Sequence, residues 1–216
     1  MPHRWTGYDE ALLVYLLGLG SPTFPLPLAS YAAYCSTYQW KSIYGRELLD
    51  SGPLFTHQLS HLWIDFRGIR DAFMREHDTD YFENSRQATY IHQEYARSNP
   101  LEFAGYGESC WGVTATDGPG WETRRVNGIE RRFFGYHARG APYGPDDGTL
   151  APWVVVVSLP FAPEIVTPTL RAMSVSSSVR PRVTASSLRS TRPTWCRTAR
   201  QGSGSLLTTS GSTRAR

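Results

Sequence analysis

"PLFTHQLSHLWIDFRGIRDAFMREH", residues 53–77, is the stretch on which the fold turns. At about 100° per residue, Phe55, Leu59, Leu62, Phe66, Ile69 and Phe73 fall on one face, the periodicity of an amphipathic helix. Pro53 suits a first turn, where its missing N–H costs nothing. The spacing predicts one long helix over 53–77. Its opposite face is unusual. Where a solvated face would carry Lys and Glu, this one carries His57, His61 and Gly68, flanked by Asp65 and Arg67, as a cleft-facing surface would. His57, His61 and Asp65 at i, i+4 and i+8 could also place metal-ligand types on one side. Against that, "HQLSH" lacks the Glu of a zinc-protease motif and Asp65 sits off to one side. Satisfied polar lining is the simpler explanation, so neither a metal nor a cofactor is expected.

Other helices flank this one. Residues 8–20 are apolar almost all round, with Gly18 and Gly20 at the end and Pro22 beyond, and read as a buried helix. Asp9 and Glu10 stand at its start. Acids there ordinarily offset free N–H groups and the positive end of the dipole. The alternative is a helix opening onto a cleft in which one acid works. Residues 79–98 predict another helix, ending before "NP", and a last one starts near "FAPEIV" with Pro163 in its first turn. Residues 21–52 read as loop with "TYQW" as a short strand. Residues 101–160 are rich in Gly, Pro and Asp, with β-like pieces such as "VVVVSLP". The fold class expected is mainly α, with long Gly/Pro-rich loops and a few short strands.

Charge divides the 216 residues. Residues 1–173 hold all 19 acids and 14 of the 22 bases, whereas 174–216 hold 8 Arg and no acid. The basic balance therefore belongs to the end of the chain and is no evidence for a nucleic-acid partner. That end, with 11 Ser and 7 Thr and no apolar periodicity, reads as a disordered low-complexity segment. Cys35, Cys110 and Cys196 show no CxxC pairing and no zinc-knuckle pattern. The apolar run 11–19 is shorter than the ~20 residues that cross a bilayer, so no membrane partner is expected. "MPHRWTGYDE" lacks a charged leader followed by an apolar stretch, which gives a cytoplasmic expectation if Met1 is the true start.

Two further stretches could carry chemistry. In "YGESCWGVTATDGPGW", 106–121, Glu108 lies between glycines and aromatics in a segment too Gly-rich for a helix. Trp111 and Trp121 offer flat apolar faces of the shape a sugar's C–H face presents; a structural loop with an exposed Glu is the plainer explanation. A thiol-enzyme role for Cys110 lacks a His–Asn partner pattern. In "DDGTLAPWVVVVSLPFAPE", 146–164, Asp146 and Asp147 could cap or bind, bare turn acids being the commoner explanation, and Glu164 reads as an ordinary first-turn acid.

"YDEALLVYLLGLGSPT", "GPLFTHQLSHLWIDFRG", "DYFENSRQAT", "YGESCWGVTATDGPG", "DDGTLAP" and "SLPFAPEIV", in that order, resemble the glycoamylase-like glycoside hydrolases. That group includes endo-β-1,2-glucanases and the transglycosylase domains of cyclic β-1,2-glucan synthases. The resemblance covers residues 5–173. It departs at Phe24, where His is expected, and at Thr116, where Ser or Cys is commoner. It implies an (α/α)6 barrel, incomplete here, with a glucan (an oligo- or polysaccharide) bound at one end of the inner helices. Relatives also carry "YGF…FNP" and "GIDQGP" after the position of Met173. Read one frame over, the codons of Val183–Pro193 are compatible with "YGFKPSFNPT" and those of Leu207–Arg216 with "DYLGIDQGP". On that reading, 174–216 is a frameshift product.

Glycoside cleavage needs two carboxyl groups flanking the scissile bond, one held protonated by its surroundings. The expected acid is Glu10, sheltered by the apolar helix mouth, with Asp9 capping or supporting it; adjacent helical residues diverge by about 100°. Glu108 is the expected second carboxylate, with Asp65 in reserve. His57, His61, Trp63, Arg67, Trp111 and Asp117 would line the sugar subsites. The alternative is an inactive fragment or a carbohydrate-binding remnant.

Overall fold

The computed structural model describes residues 5–126 and 128–178, the last four by their backbone alone. The fold is mostly helical, with three short two-stranded antiparallel ladders. Helix α1 spans Ala11–Leu19 and α2 Leu28–Cys35. Strands β1 (Trp40–Ile43) and β2 (Arg46–Leu49) pair through Tyr44 and Gly45, both at positive φ, as a two-residue hairpin of right-handed twist requires. After α3 (Ala72–Glu76), the 18-residue α4 (Tyr81–Ser98) runs through the middle of the molecule. Asp80 caps it by accepting from the Glu83 N–H, and Asn99 closes it in the left-handed region before Pro100. Four strands follow: β3 (Ala115–Thr116), β4 (Glu122–Val126), β5 (Ile129–Phe133) and β6 (His137–Ala138). β4 pairs with β5 and β3 with β6. Helices α5 (Pro152–Val157) and α6 (Pro163–Ser178) complete the order.

The predicted helix over 53–77 does not form. Leu54–His57 and Leu59–Leu62 are separate 3₁₀ turns, Gly68 sits at φ +73°, and only Ala72–Glu76 is α-helical. The apolar stripe is split: Phe66 is buried, but Leu62 and Ile69 are exposed. Polar side chains take the interior instead. Thr56, His57, Gln58 and Ser60 are buried, and the first three bond to the backbone or side chains of other segments. Helical periodicity loses here to tertiary hydrogen bonding.

Two other expectations change. "VVVV" is helical, because Pro152 opens the turn and Val154 and Val155 bury against the α4–α6 core. Helix α1 is buried only at Ala11 and Leu12, while Val14 and Leu17 are exposed. The sequence boundary at Met173 falls inside α6, which runs to Ser178. The remainder of the segment read as disordered and frame-shifted lies outside the described residues.

Side chains from α4 enter two apolar clusters. Tyr8, Leu12, Leu49, Phe66, Met74 and Tyr81 form one; Leu54, Ile91, Trp111, Val154, Val155 and Val166 belong to the other. Asp71 ties the first together, accepting from the hydroxyls of Tyr31 at 2.5 Å and Tyr81 at 2.6 Å. Among the described residues no helix is long and apolar enough to cross a membrane.

Candidate functional site

At the start of α1, the two acids separate as their geometry requires. Asp9 turns inward: its Oδ1 accepts from the Ala11 N–H at 2.9 Å and from the Tyr34 hydroxyl at 2.8 Å. Glu10 faces out and is exposed, so α1 does not supply the apolar shelter expected for it. Below them the Tyr8 ring stacks on Tyr81 at 5.8 Å, with its hydroxyl buried and unpartnered among the described residues.

Glu108 occupies the tip of a tight turn closed by mutual backbone hydrogen bonds between Gly107 and Cys110. Its side chain is exposed, and its carbonyl accepts from Gln93 Nε2 at 2.9 Å, which pins the turn to α4. Tyr81 and Gln93 stand twelve positions apart on α4, about 18 Å at 1.5 Å per residue. The chain bearing Glu10 and the turn bearing Glu108 thus meet α4 at well-separated points.

His57 is spent on structure. Asn84 Oδ1 accepts from the Leu49 N–H, which orients its Nδ2 towards Leu49 C=O and His57 Nδ1; His57 Nε2–H then donates to Ser51 C=O at 3.0 Å. Both ring nitrogens are engaged, and burial pulls its pKa down to about 4. Trp111 has no exposed surface and donates to Thr169 Oγ1, so it offers no face to a sugar. Trp63, by contrast, is 72% exposed, and Asp117 is exposed as well.

Three of the expected residues do meet. His61, Asp65 and Arg67 line a cavity of about 490 Å³ together with Gln58, Phe82, Phe161 and the aliphatic side chains around 156–160. Arg67 Nη1 pairs with Asp65 Oδ2 at 3.0 Å, and its guanidinium lies 4.2 Å from the Phe82 ring centroid. The Arg67 backbone N–H and then its guanidinium hold the Asp65 carboxyl below the usual range. His61 Nε2 lies 3.0 Å from Ser85 Oγ, and burial pulls its pKa down to about 4, so the ring is neutral near pH 7. An apolar wall facing a mutually neutralised ion pair suits a neutral ligand with both C–H and hydroxyl surfaces.

Sequence reasoning missed the walls of this cavity. Gln58 lay inside the quoted motif, yet only contact with α5, nearly a hundred residues on, brings it into place. The reading of Asp146 and Asp147 as bare turn acids also gives way. Asp146 accepts from the Tyr95 and Tyr106 hydroxyls, and Asp147 is buried against Arg139.

Comparison with known proteins agrees with this architecture. The family model Glycoamylase, described as "Putative glucoamylase", matches residues 2–195, a span that runs past Met173. An exo β-1,2-glucooligosaccharide sophorohydrolase (non-reducing end) of Parabacteroides distasonis is 28% identical over 194 residues, 78% of this chain and 24% of that protein. The endo-β-1,2-glucanase of Chitinophaga pinensis, solved with sophorotriose and glucose, is 27% identical with a TM-score of 0.64, over 78% of this chain and 39% of that one. A crystal structure from Bacteroides uniformis bearing the same description as the family is 31% identical with a TM-score of 0.66, over 79% and 39%. The chain thus spans well under half the length of these relatives. With its match across most of its length, the chain belongs to the glycoamylase family.

Proposed function

We propose that this chain is part of a glycoside hydrolase acting on β-1,2-glucan. The observation that carries the reading is family membership together with relatives that act on β-1,2-linked glucose. Glu10 serves as general acid and Glu108 as nucleophile or as base for water, with Asp65 in reserve; because their anchors on α4 lie about 18 Å apart, the pair flanks one bond only when the remaining barrel helices bring the two carboxyls to within about 10 Å. Asp9 supports Glu10 through its inward hydrogen bonds. The exposure of both glutamates is consistent with access to a polymer, but a general acid also needs shelter to stay protonated. In this reading, shelter comes from bound glucan and from the remaining helices of an (α/α)6 barrel, supplied by sequence of the kind that relatives carry in addition. We further infer that 174–216 reflects a shifted reading frame.

A second reading, an inactive fragment or a carbohydrate-binding remnant without turnover, draws support for its incompleteness from the exposed apolar face of α1, with Leu17 at 65% exposure, which is the surface an unpaired barrel helix would present. One assay separates the two. β-1,2-glucan is incubated with the chain, and with the chain extended to the length of its relatives, and released oligosaccharides are sized by mass spectrometry. Products from the extended protein alone support the first reading with an impaired fragment. Binding without products from either supports the second, and cleavage of another linkage in place of β-1,2 overturns the substrate.

A further inference from the structure

The segment 99–110 leaves the end of α4 and is held back onto that helix at three places. Asn99 makes the first: its Oδ1 accepts from the Phe103 N–H and its Nδ2 donates to the Phe103 carbonyl, both at 2.9 Å. Gln93 makes the last, through Nε2 and the Glu108 carbonyl. The middle place is bridged. Tyr95 on α4 and Tyr106 in the segment have ring centroids 6.4 Å apart, and both hydroxyls donate to the carboxylate of Asp146. Oδ2 takes Tyr95 at 2.9 Å and Oδ1 takes Tyr106 at 2.8 Å, bonds that the ionised acceptor strengthens.

Asp146 is itself fixed. Its Oδ1 also accepts from the Gly148 N–H at 2.9 Å. Gly148 lies so close to Phe103 that a β-carbon there would come within 2.8 Å of the ring, and the Phe103 ring packs on Tyr106 at 5.2 Å. On the other side, Asp147 is locked to Arg139. The carboxylate therefore works as a fixed post between helix and segment. None of these bonds uses the Glu108 side chain; they set where its backbone stands and leave its carboxyl uncommitted.

We infer that Asp146 is a positioning residue for Glu108: by bridging Tyr95 and Tyr106 it sets where the Glu108 turn stands on α4. As a statement about turnover this rests on the reading of Glu108 above; as a statement about the turn it does not.

The test begins with hydrogen exchange across 103–110 in the full chain, beside Tyr106→Phe, Asp146→Ala and Asp146→Asn. Tyr106→Phe removes one hydroxyl and keeps the ring packed on Phe103. Asp146→Ala removes the bridge. Asp146→Asn keeps an acceptor for Tyr106 and Gly148 and turns an amide N–H towards the Tyr95 oxygen, so it should restore most of the bridge. Exchange of the Gly107 and Cys110 amides, which bond to each other's carbonyls, is expected to quicken by about 10-fold or more in the first two variants and by no more than about 3-fold in the third. In the protein extended to the length of its relatives, Tyr106→Phe should lower kcat on β-1,2-glucan by about 10-fold and leave KM within about 2-fold, with Asp146→Asn near normal. Unchanged exchange in Tyr106→Phe, or Asp146→Asn as fast as Asp146→Ala, overturns the bridge whatever Glu108→Gln does. Faster exchange with an unchanged kcat in Tyr106→Phe, where Glu108→Gln abolishes turnover, overturns the positioning role. Faster exchange with normal turnover in Glu108→Gln sinks the catalytic reading of Glu108 alone.

Discussion

Arg139 and Asp147 form a fully buried pair, Nε to Oδ1 at 2.7 Å and Nη2 to Oδ2 at 2.8 Å, neither side chain having any exposed surface. Arg139 also donates to the carbonyls of Thr116, Phe134 and Gly135, so one guanidinium gathers the loops around β3, β5 and β6. Burial works against the Asp147 charge. Hydrogen bonds from Arg139 and from the Thr149 and Phe134 N–H groups outweigh it and hold the carboxyl below its usual range. Arg139→Leu would strand that carboxylate and should cost about 3–5 kcal/mol, read by urea denaturation. Arg139→Met combined with Asp147→Leu should cost less than either single change. An additive double variant would show that the pair is not the unit holding these loops.

Acid should unfold the chain in two stages. Burial lowers His57 to about 4 and His92 to about 3. Both are neutral in the folded state, while the unfolded chain takes up protons near 6.5. Their contribution is therefore complete above about pH 6.5 and is lost as pH falls towards 4, at about 2 kcal/mol each between about pH 7 and pH 5. Asp147 moves in a later window. Its folded pKa lies below the unfolded one, so its contribution persists until pH drops below the usual carboxylate range near ~4. Melting temperature against pH should show the first loss before the second. His92→Gln should flatten the upper step, and an unchanged profile would mean that His92 carries no linkage.

These groups show what local sequence could and could not reveal. Helix α4 was readable because its end is signalled locally, by Asn99 before a proline; its Asp80 cap emerged only in the structure. The type and place of α6 followed from Pro163 in the same way. Residues 53–77 failed because their polar side chains are buried by partners far along the chain, Asn84, Ser85 and Ser158 among them, which periodicity does not encode. Four valines favour a strand in isolation, and burial against α4 and α6 overrides that preference. Arg139 gave no signal at all: a lone base in a Gly-rich loop looks solvated until Asp147 folds onto it. At the site, the motif containing His61, Asp65 and Arg67 pointed to the cavity, but the aromatic wall comes from α4 and the α5–α6 connection.

Gly118, inside the "TDGPGW" loop, tests how tightly Arg139 is enclosed. A β-carbon there would run into the Arg139 guanidinium and the Phe134 carbonyl. Gly118→Ala should destabilise by about 1–3 kcal/mol through overpacking. Gly107, in the turn before Glu108, has nothing within 4 Å of a built β-carbon and no positive φ. Gly107→Ala should stay within about 0.5 kcal/mol. Equal melting shifts for the two would contradict the close packing around Arg139.

The proposed frame change near codon 173 makes a nucleic-acid prediction. Sequencing from the codon of Phe161 past that of Arg216 should reveal one base gained or lost, and the restored frame should encode "YGF" and then "GIDQGP". An intact frame with unrelated third bases would show that the Arg-rich segment is genuine. The family match runs in the given frame to residue 195, so an unchanged frame from codon 173 to that codon would remove the proposed shift.

The two proposed catalytic carboxylates make the most demanding prediction. In the protein extended to the length of its relatives, Glu10→Gln and Glu108→Gln should each lower kcat on β-1,2-glucan by about 10²–10⁴-fold, leaving KM nearly unchanged. Asp65→Asn should lower kcat less than either, because Asp65 is paired with Arg67 at the rim of the cavity. Azide added to a slow Glu108→Gln enzyme should restore turnover if the missing group was a nucleophile or base. The same addition should leave Glu10→Gln slow, because an anion cannot stand in for a proton donor. Near-normal turnover in Glu108→Gln would remove that residue from the mechanism. A kcat loss in Asp65→Asn equal to that in Glu10→Gln would move Asp65 into the catalytic pair.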